Sequence, residues 1–199
     1  MTAIPRASQI LTAADALFAE RGFDGVSMRD VAERAGVKKA LVFYHHQNKE
    51  RLFDQVLERY YAAHAQALRS AFQVEGSPQD RFHHVIDRYL DFIEANQRYA
   101  KLVQREVCGA HPQRVQRGLE PLMSWVESAL SEVAPSQGPL AARHLFVTLS
   151  GAVINYFTYA AALSPAWGSD PLSEHAIRER RAHLHWLVDC LLTGLQTAR

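Results

Sequence analysis

The chain has 199 residues, 48% of them hydrophobic, which suffices for a proper core and sets the scale at one larger domain or a small module joined to a larger one. Its charges nearly cancel, 22 Lys and Arg against 21 Asp and Glu, so bulk charge points to neither nucleic acid nor membrane, and any basic face must be local. Cys108 and Cys190 show no CxxC or zinc-ligand spacing, which argues against a structural disulfide or zinc site and suits a reducing cytosol. The opening "MTAIPRASQIL" lacks the long apolar stretch of a signal peptide, so a cytoplasmic protein is expected.

Taken in chain order, the apolar residues recur with helical rather than alternating period, and no segment reads as a strand. A first helix follows Pro5, carries Ile10, Ala14, Leu17 and Phe18 on one face, and stops at Gly22. Ser27 begins a second: its hydroxyl can accept from the amide of Asp30 while Asp30 reaches back, and Val31 and Ala35 point inward until Gly36. Val37 to His46 form a third. Asn48 is a good N-cap for a fourth, which starts at Lys49, keeps Leu52, Phe53, Val56, Leu57, Tyr60 and Tyr61 on one side, and runs on toward Phe72.

After the turn "EGSPQD", Phe82, Val85, Ile86, Tyr89, Leu90 and Ile93 mark an amphipathic helix, and Tyr99, Leu102, Val103 and Val107 a shorter one ending near Gly109 to Pro112. A further helical region carries Val115, Leu119, Leu122, Val126 and Leu130, with Pro121 either kinking or restarting it. From Leu145 to Ser169 no charged residue appears, long enough to span a bilayer, but Thr148, Ser150, Asn155 and Thr158 interrupt the run. Pro165 and Gly168 cut its helical part to about Leu140 to Leu163, so it reads as a buried helix and no membrane partner is expected. Ile177, Leu184, Leu187, Val188, Leu191 and Leu195 mark the last helix.

The spacing over Ser27 to His46 is that of a helix-turn-helix: a capped two-turn helix, a turn centred on Gly36 and a second short helix. With Ala32, Ala35, Val37 and Val42 inward, Lys38, Lys39, Leu41, Tyr44 and His45 fall on outward or flanking positions. A helix bearing lysines, a tyrosine and a histidine on its free face suits the floor of a DNA major groove.

The run "ILTAADALFAERGFDGVSMRDVAERAGVKKALVFYHHQNKERLFDQVLE", about Ile10 to Glu58, resembles the N-terminal domain of the TetR/AcrR family of transcriptional regulators. The resemblance implies an all-α protein: a small three-helix head, 1–48 with its motif at about 27–46, joined by a long fourth helix to a C-terminal effector-binding and dimerisation body, 49–199. It implies phosphate contacts from Ser27, Arg29 and Lys49, with Lys38 and Lys39 at the start of the recognition helix and Tyr44 and His45 later on its groove face. Lys39, Ala40, Leu41 and Tyr44 are the candidates for reading bases. Three positions depart from the family pattern. Lys38 replaces a small hydroxyl cap, Phe43 replaces a tyrosine and loses its phosphate-directed hydroxyl, and His46 stands where a phenylalanine packs.

The aromatic-rich body suggests a ligand chamber between helices. By family analogy it involves Tyr89, Ile93, Leu102, Arg105, Trp125, Val126, Asn155 and Tyr159. Arg105 and Asn155 need polar partners if buried, which a ligand, Glu106 or another helix could supply. The resemblance also implies a homodimer through the last two helices, with Phe146, Val153, Phe157, Leu184, Val188, Leu191 and Leu195 at the seam. The expected partners are a double-stranded DNA operator and a small-molecule effector that releases a repressor by moving the fourth helix.

Other function classes leave weaker marks. No nucleophile elbow, phosphate-cradling glycine loop or dinucleotide fingerprint occurs, so no catalytic residue and no cofactor is assigned and an enzyme is not expected. Adjacent helical residues such as His45 and His46 point about 100° apart and do not normally share a metal. His83 with Asp87, and His183 with His185, lack an evident third ligand, so no metal site is assigned. The alternatives are a metal-dependent or acid/base helical enzyme and a helical binding module without DNA function.

Overall fold

The computed structural model describes residues 5–107, 112–131 and 133–197, apart from the side chains of Pro112 and Val115. Cys108 and the expected helix end near Gly109 lie outside the described residues. Among the described residues the chain is all-α, with nine helices: α1 (Arg6–Arg21), α2 (Met28–Ala35), α3 (Lys39–His46), α4 (Lys49–Phe72), α5 (Pro78–Ala95), α6 (Gln97–Val107), α7 (Pro112–Leu130), α8 (Ala142–Trp167) and α9 (Glu174–Thr197).

Local chemistry accounts for the boundaries. Gly22 takes a φ of 74° and returns its amide to the Phe18 carbonyl, closing α1. Ser27 and Asp30 exchange side-chain and backbone hydrogen bonds in a complete capping box, which satisfies two amides that α2 would otherwise leave free. Gly36 is left-handed at a φ of 64°, and the Val37 amide reaches back to the Ala32 carbonyl at 3.0 Å. That bond draws Val37 into the turn, so α3 starts at Lys39 rather than Val37. The Asn48 side chain accepts from the Arg51 amide at 2.7 Å and caps α4.

The two prolines met inside the sequence's helical runs do not end them. α7 continues through Pro121 and α8 through Pro165 to Trp167. A proline leaves the carbonyl four residues earlier without a partner, here on Arg117 and Ala161. Both residues are exposed, where solvent can take the bond.

The chain forms two compact units, one of residues up to 62 with 101–118, the other of 63–100 with 119 onward. In the first, Ile10, Phe18, Val31, Val42, Leu52, Phe53 and Val56 are fully buried. Each such side chain contributes about 1.5–3 kcal/mol through area removed from water. Phe18, Phe23 and Phe53 meet edge to face or stacked at 4.8 to 6.1 Å between centroids. Among the described residues of this unit Asp15 and Glu106 are buried carboxylates, and Asp15 of α1 accepts from the Tyr60 hydroxyl at 2.8 Å and from Arg59 at 3.2 Å, tying α1 to α4. Burial and the Asp15 carboxylate push the Tyr60 hydroxyl up to about 12.

The same unit holds the end of α6 and the start of α7. Arg114 lies 4.2 Å from the Phe23 ring centroid and 5.2 Å from that of Phe53, and pairs with Glu106 at 3.4 Å and Asp54 at 3.7 Å. A Cβ on Gly118 would stand 2.2 Å from the Tyr61 ring, so only glycine permits this approach of α7 to α4.

In the second unit Ile86, Leu90, Ile93, Val153, Leu184 and Val188 form the core. The α5–α9 contact is polar. Arg181 donates to Asp87 at 2.9 Å and Asp91 at 2.6 Å, His185 meets Asp87 at 2.7 Å, and His83 meets Asp189 at 2.8 Å. The rings of His83 and His185 stack at 4.2 Å. Among the described residues α8 is the one helix long and apolar enough to cross a membrane by length and composition, and α9 covers part of it through Arg180, which packs on the Tyr156 ring.

Candidate nucleic-acid interface

The free surface of α3 follows from its burial pattern. Val42 and His46 are the buried residues of this helix, four apart on one face. The opposite face turns outward: Lys38, Lys39 and Ala40 are exposed, Phe43 is 41% exposed and Tyr44 80%. Leu41 and His45 sit half-buried at the flanks. A tyrosine left four-fifths in water on a helix anchored by Val42 and His46 is a surface built for contact rather than for the core. Lys39 places its ammonium 5.5 Å from the Phe43 ring centroid, one turn on, which orients the lysine along the helix.

The phosphate-directed candidates are less free. The Ser27 hydroxyl accepts from the Asp30 amide and donates to the Asp30 carboxylate, so the cap uses both its functions. Those bonds hold the Asp30 carboxyl below its ordinary range. Arg29 forms an exposed ion pair with Glu33 at 3.0 Å, the kind of contact a phosphate can displace at little cost. Lys49 donates to the Phe23 carbonyl at 2.9 Å and lies over the Phe23 ring at 4.2 Å. Its charge is therefore fixed at the first turn of α4 rather than swinging in solvent.

His46 is 4% exposed, with Nδ1 2.6 Å from Gln55 Oε1 and Nε2 buried without a hydrogen-bond partner. It packs into the head and takes no part in the α3 surface.

The body holds an apolar cavity of about 70 Å³ between α4, α5, α7 and α8. Of the sequence-based chamber residues, Tyr89, Trp125 and Val126 line it, as does Phe146, read from sequence as a dimer residue. Ile93 is buried elsewhere in the core. Asn155 and Tyr159 are exposed on α8. Leu102 and Arg105 belong to the first unit, where Arg105 donates to the Ala19 carbonyl at 3.2 Å. Leu68, Phe72, Phe82 and Ile86 complete the wall. Their amphipathic periodicity is plain in the sequence, but periodicity does not distinguish a filled core from one with a gap.

Val153, Phe157, Leu184, Val188 and Leu195 are buried within the single chain, and Leu191 is half-buried. The large apolar side chains exposed on α8 and α9 are Val147, Tyr159, Trp167 and Trp186.

Residues 10–56 match the family described as bacterial regulatory proteins, tetR family. The HTH-type transcriptional activator FasR of Mycolicibacterium smegmatis is 30% identical over 98 residues, 49% of this chain and 45% of that protein. The negative transcriptional regulator IcaR of the biofilm operon icaADBC in Staphylococcus epidermidis is 36% identical over 50 residues, 25% of this chain and 27% of its own length. The chain thus spans less than half the length of these relatives. The fold is shared more widely: the crystal structure of Bacillus subtilis FadR in complex with stearoyl-CoA superposes with a TM-score of 0.68 at 17% identity, covering 94% of this chain and 96% of that one. The match covers the elements that build the α3 surface, from Ile10 of α1 to Val56 of α4, so it is this N-terminal domain that is similar to the tetR family of bacterial regulatory proteins.

Proposed function

We propose that this chain is a cytoplasmic, DNA-binding transcriptional regulator, a repressor that sits as a homodimer on a palindromic double-stranded operator and is released by a small apolar or amphipathic effector. The observation that carries this reading is the α3 surface, where Lys38, Lys39, Phe43 and Tyr44 stand exposed on a short helix held rigid by Val42 and His46. Lysines at its start meet phosphates, and Leu41 and Tyr44 reach base edges and thymine methyls. The names of the relatives support regulation in both senses, since FasR is called an activator and IcaR a negative regulator.

A dimer would place two such helices about 34 Å apart, one turn of duplex. Val147 and Tyr159 on α8 with Trp186 on α9, at 66%, 50% and 60% exposure, are the residues we assign to its seam. The effector reading rests on the cavity, and the stearoyl-CoA held by the B. subtilis FadR supports an amphipathic ligand. At about 70 Å³ the cavity is far below the roughly 300–1,000 Å³ of a ligand chamber, so a ligand must widen it. Leu68 and Phe72 in its wall belong to α4, which begins with Lys49, and Trp125 and Val126 belong to α7, which begins near Arg114. Widening bears on both helices, and a differential affinity of about 1–3 kcal/mol between the two states changes operator occupancy about 5- to 150-fold.

Selection of duplexes from a random pool by the full-length chain, followed by binding measured across a salt series, tests this. One preferred palindromic sequence bound with steep salt dependence is the expected result, and Tyr44→Ala should alter the preferred bases rather than weaken all duplexes equally. Absence of salt-sensitive duplex binding would leave a helical binding module.

A further inference from the structure

Two polar atoms in the body are buried without a hydrogen-bond partner on rings that touch. One is the Tyr89 hydroxyl, on a residue 4% exposed that lines the apolar cavity. The other is His64 Nε2, on a residue 2% exposed whose ring stacks on Tyr89 at 4.7 Å between centroids. Leaving a buried hydroxyl or ring nitrogen unsatisfied is unfavourable, so a partner supplied from outside would recover that cost. Two other side chains of the described cavity wall carry polar atoms: Ser150 turns its hydroxyl back to the Val147 carbonyl of its own helix, and Trp125 has an indole N–H, which donates but cannot accept.

The surroundings also specify charge. Among the described residues that line the cavity none is charged. His64 reaches the Tyr99 hydroxyl with Nδ1 at 3.2 Å and packs on Phe92 as well as Tyr89. Burial pushes its imidazole down to about 4, so it stands neutral at physiological pH. A carboxylate or phosphate brought here would find no cation in the described wall, the Arg81 guanidinium lying over the Phe72 ring at 5.6 Å from its centroid and not among the lining residues, and an ammonium would find no anion there.

We propose that the part of the ligand seated in this cavity is uncharged and mainly apolar, and carries one hydrogen-bonding group, such as an alcohol, ester or thioester oxygen, that pairs with the Tyr89 hydroxyl. The inference rests on the effector reading and names the chemistry of the same site. His64, behind Tyr89, keeps that end polar but neutral, and its Nε2 can donate or accept according to which way the Tyr99 bond runs.

Three eight-carbon probes of one shape separate the possibilities: 1-octanol, octanoate and 1-chlorooctane, titrated calorimetrically at pH 7.5 into the full-length chain and into Tyr89→Phe. The wild type should bind 1-octanol more tightly than octanoate. In Tyr89→Phe, affinity for 1-octanol should fall about five- to tenfold while that for 1-chlorooctane stays the same. Octanoate binding as tightly as 1-octanol, or Tyr89→Phe changing the alcohol and the chloride alike, would overturn the proposal while leaving the cavity as an effector site. Failure of all three probes to bind would remove the effector reading with it. The comparison of 1-octanol with octanoate on the wild type stands even where the variant does not fold.

Discussion

The Lys49 ammonium donates to the Phe23 carbonyl at 2.9 Å and lies 4.2 Å from the centroid of the same residue's ring. One lysine therefore closes the turn after α1 and presents a fixed charge beside the N-terminus of α4. Lys49→Ala should destabilise the head by about 1–2 kcal/mol through loss of the hydrogen bond and the cation–π contact. It should also weaken binding to all duplexes and lower the salt slope by about one. Urea unfolding and duplex binding at several salt concentrations measure the two effects separately. An unchanged slope with reduced stability would mean that Lys49 serves the fold alone.

Arg114 packs on Phe23 as well, at 4.2 Å, and is nearly buried between Glu106 and Asp54. Removing the cation strands two half-desolvated carboxylates, so Arg114→Met should cost roughly 3 kcal/mol. Glu106→Gln added to it should return a measurable part of that loss in a double-mutant cycle, since Glu106 is the closer and more deeply buried partner. Additive losses in chemical denaturation would show that Arg114 acts through the aromatic rings instead.

His46 occupies a packed position with one nitrogen bound to Gln55 and the other without a partner. His46→Phe removes the unsatisfied Nε2 together with the Gln55 bond, and Gln55, half-buried, can find water. Thermal melting should show a gain of about 1 kcal/mol, with the bases preferred in duplex selection unchanged. A loss of stability would mean that the Gln55 bond outweighs the buried nitrogen, and a new sequence preference would place His46 on the DNA face.

His64 sets a pH dependence of stability. Its folded value, pushed down to about 4 by burial, lies below the unfolded value of 6.5, so between the two the unfolded chain binds the extra proton. Its contribution is whole above about pH 6.5 and fades as the pH falls toward 4. Between pH 7.5 and 5 this one group should cost about 2 kcal/mol. Denaturation of the wild type and of His64→Phe at both pH values isolates it: the wild type should lose that much more than the variant, and equal losses would show that His64 protonates readily in the folded state.

Much of the head was legible in the sequence because its signals are local. The Ser27–Asp30 box, Gly22, Gly36 and the Asn48 cap each act within a few residues, and each appears where the pattern places it. Pro165 misled, because a proline ends a helix or not according to whether the carbonyl it frees can reach solvent, and here the helix runs on to Trp167, while α7 continues through Pro121, where the sequence allows either a kink or a restart. Asp15 reads as one polar break in an apolar face. Its partners Arg59 and Tyr60 come from α4, far along the chain, and no periodicity connects them.

By itself the sequence determined an all-helical chain, the boundaries of most of its helices, and a helix-turn-helix with Lys38, Lys39 and Tyr44 on its open face. These follow from capping and from the 3.6-residue period, which operate within one element. Only the tertiary structure decided that Lys49 is held by Phe23, that Arg105 serves the end of α1, that α5 and α9 meet through His83, Asp87, Arg181 and His185, and that Tyr89 and His64 bring unsatisfied polar atoms to an apolar cavity. Each of these depends on which faces of separate helices come together, because burial and partnership belong to pairs of surfaces and not to either helix alone.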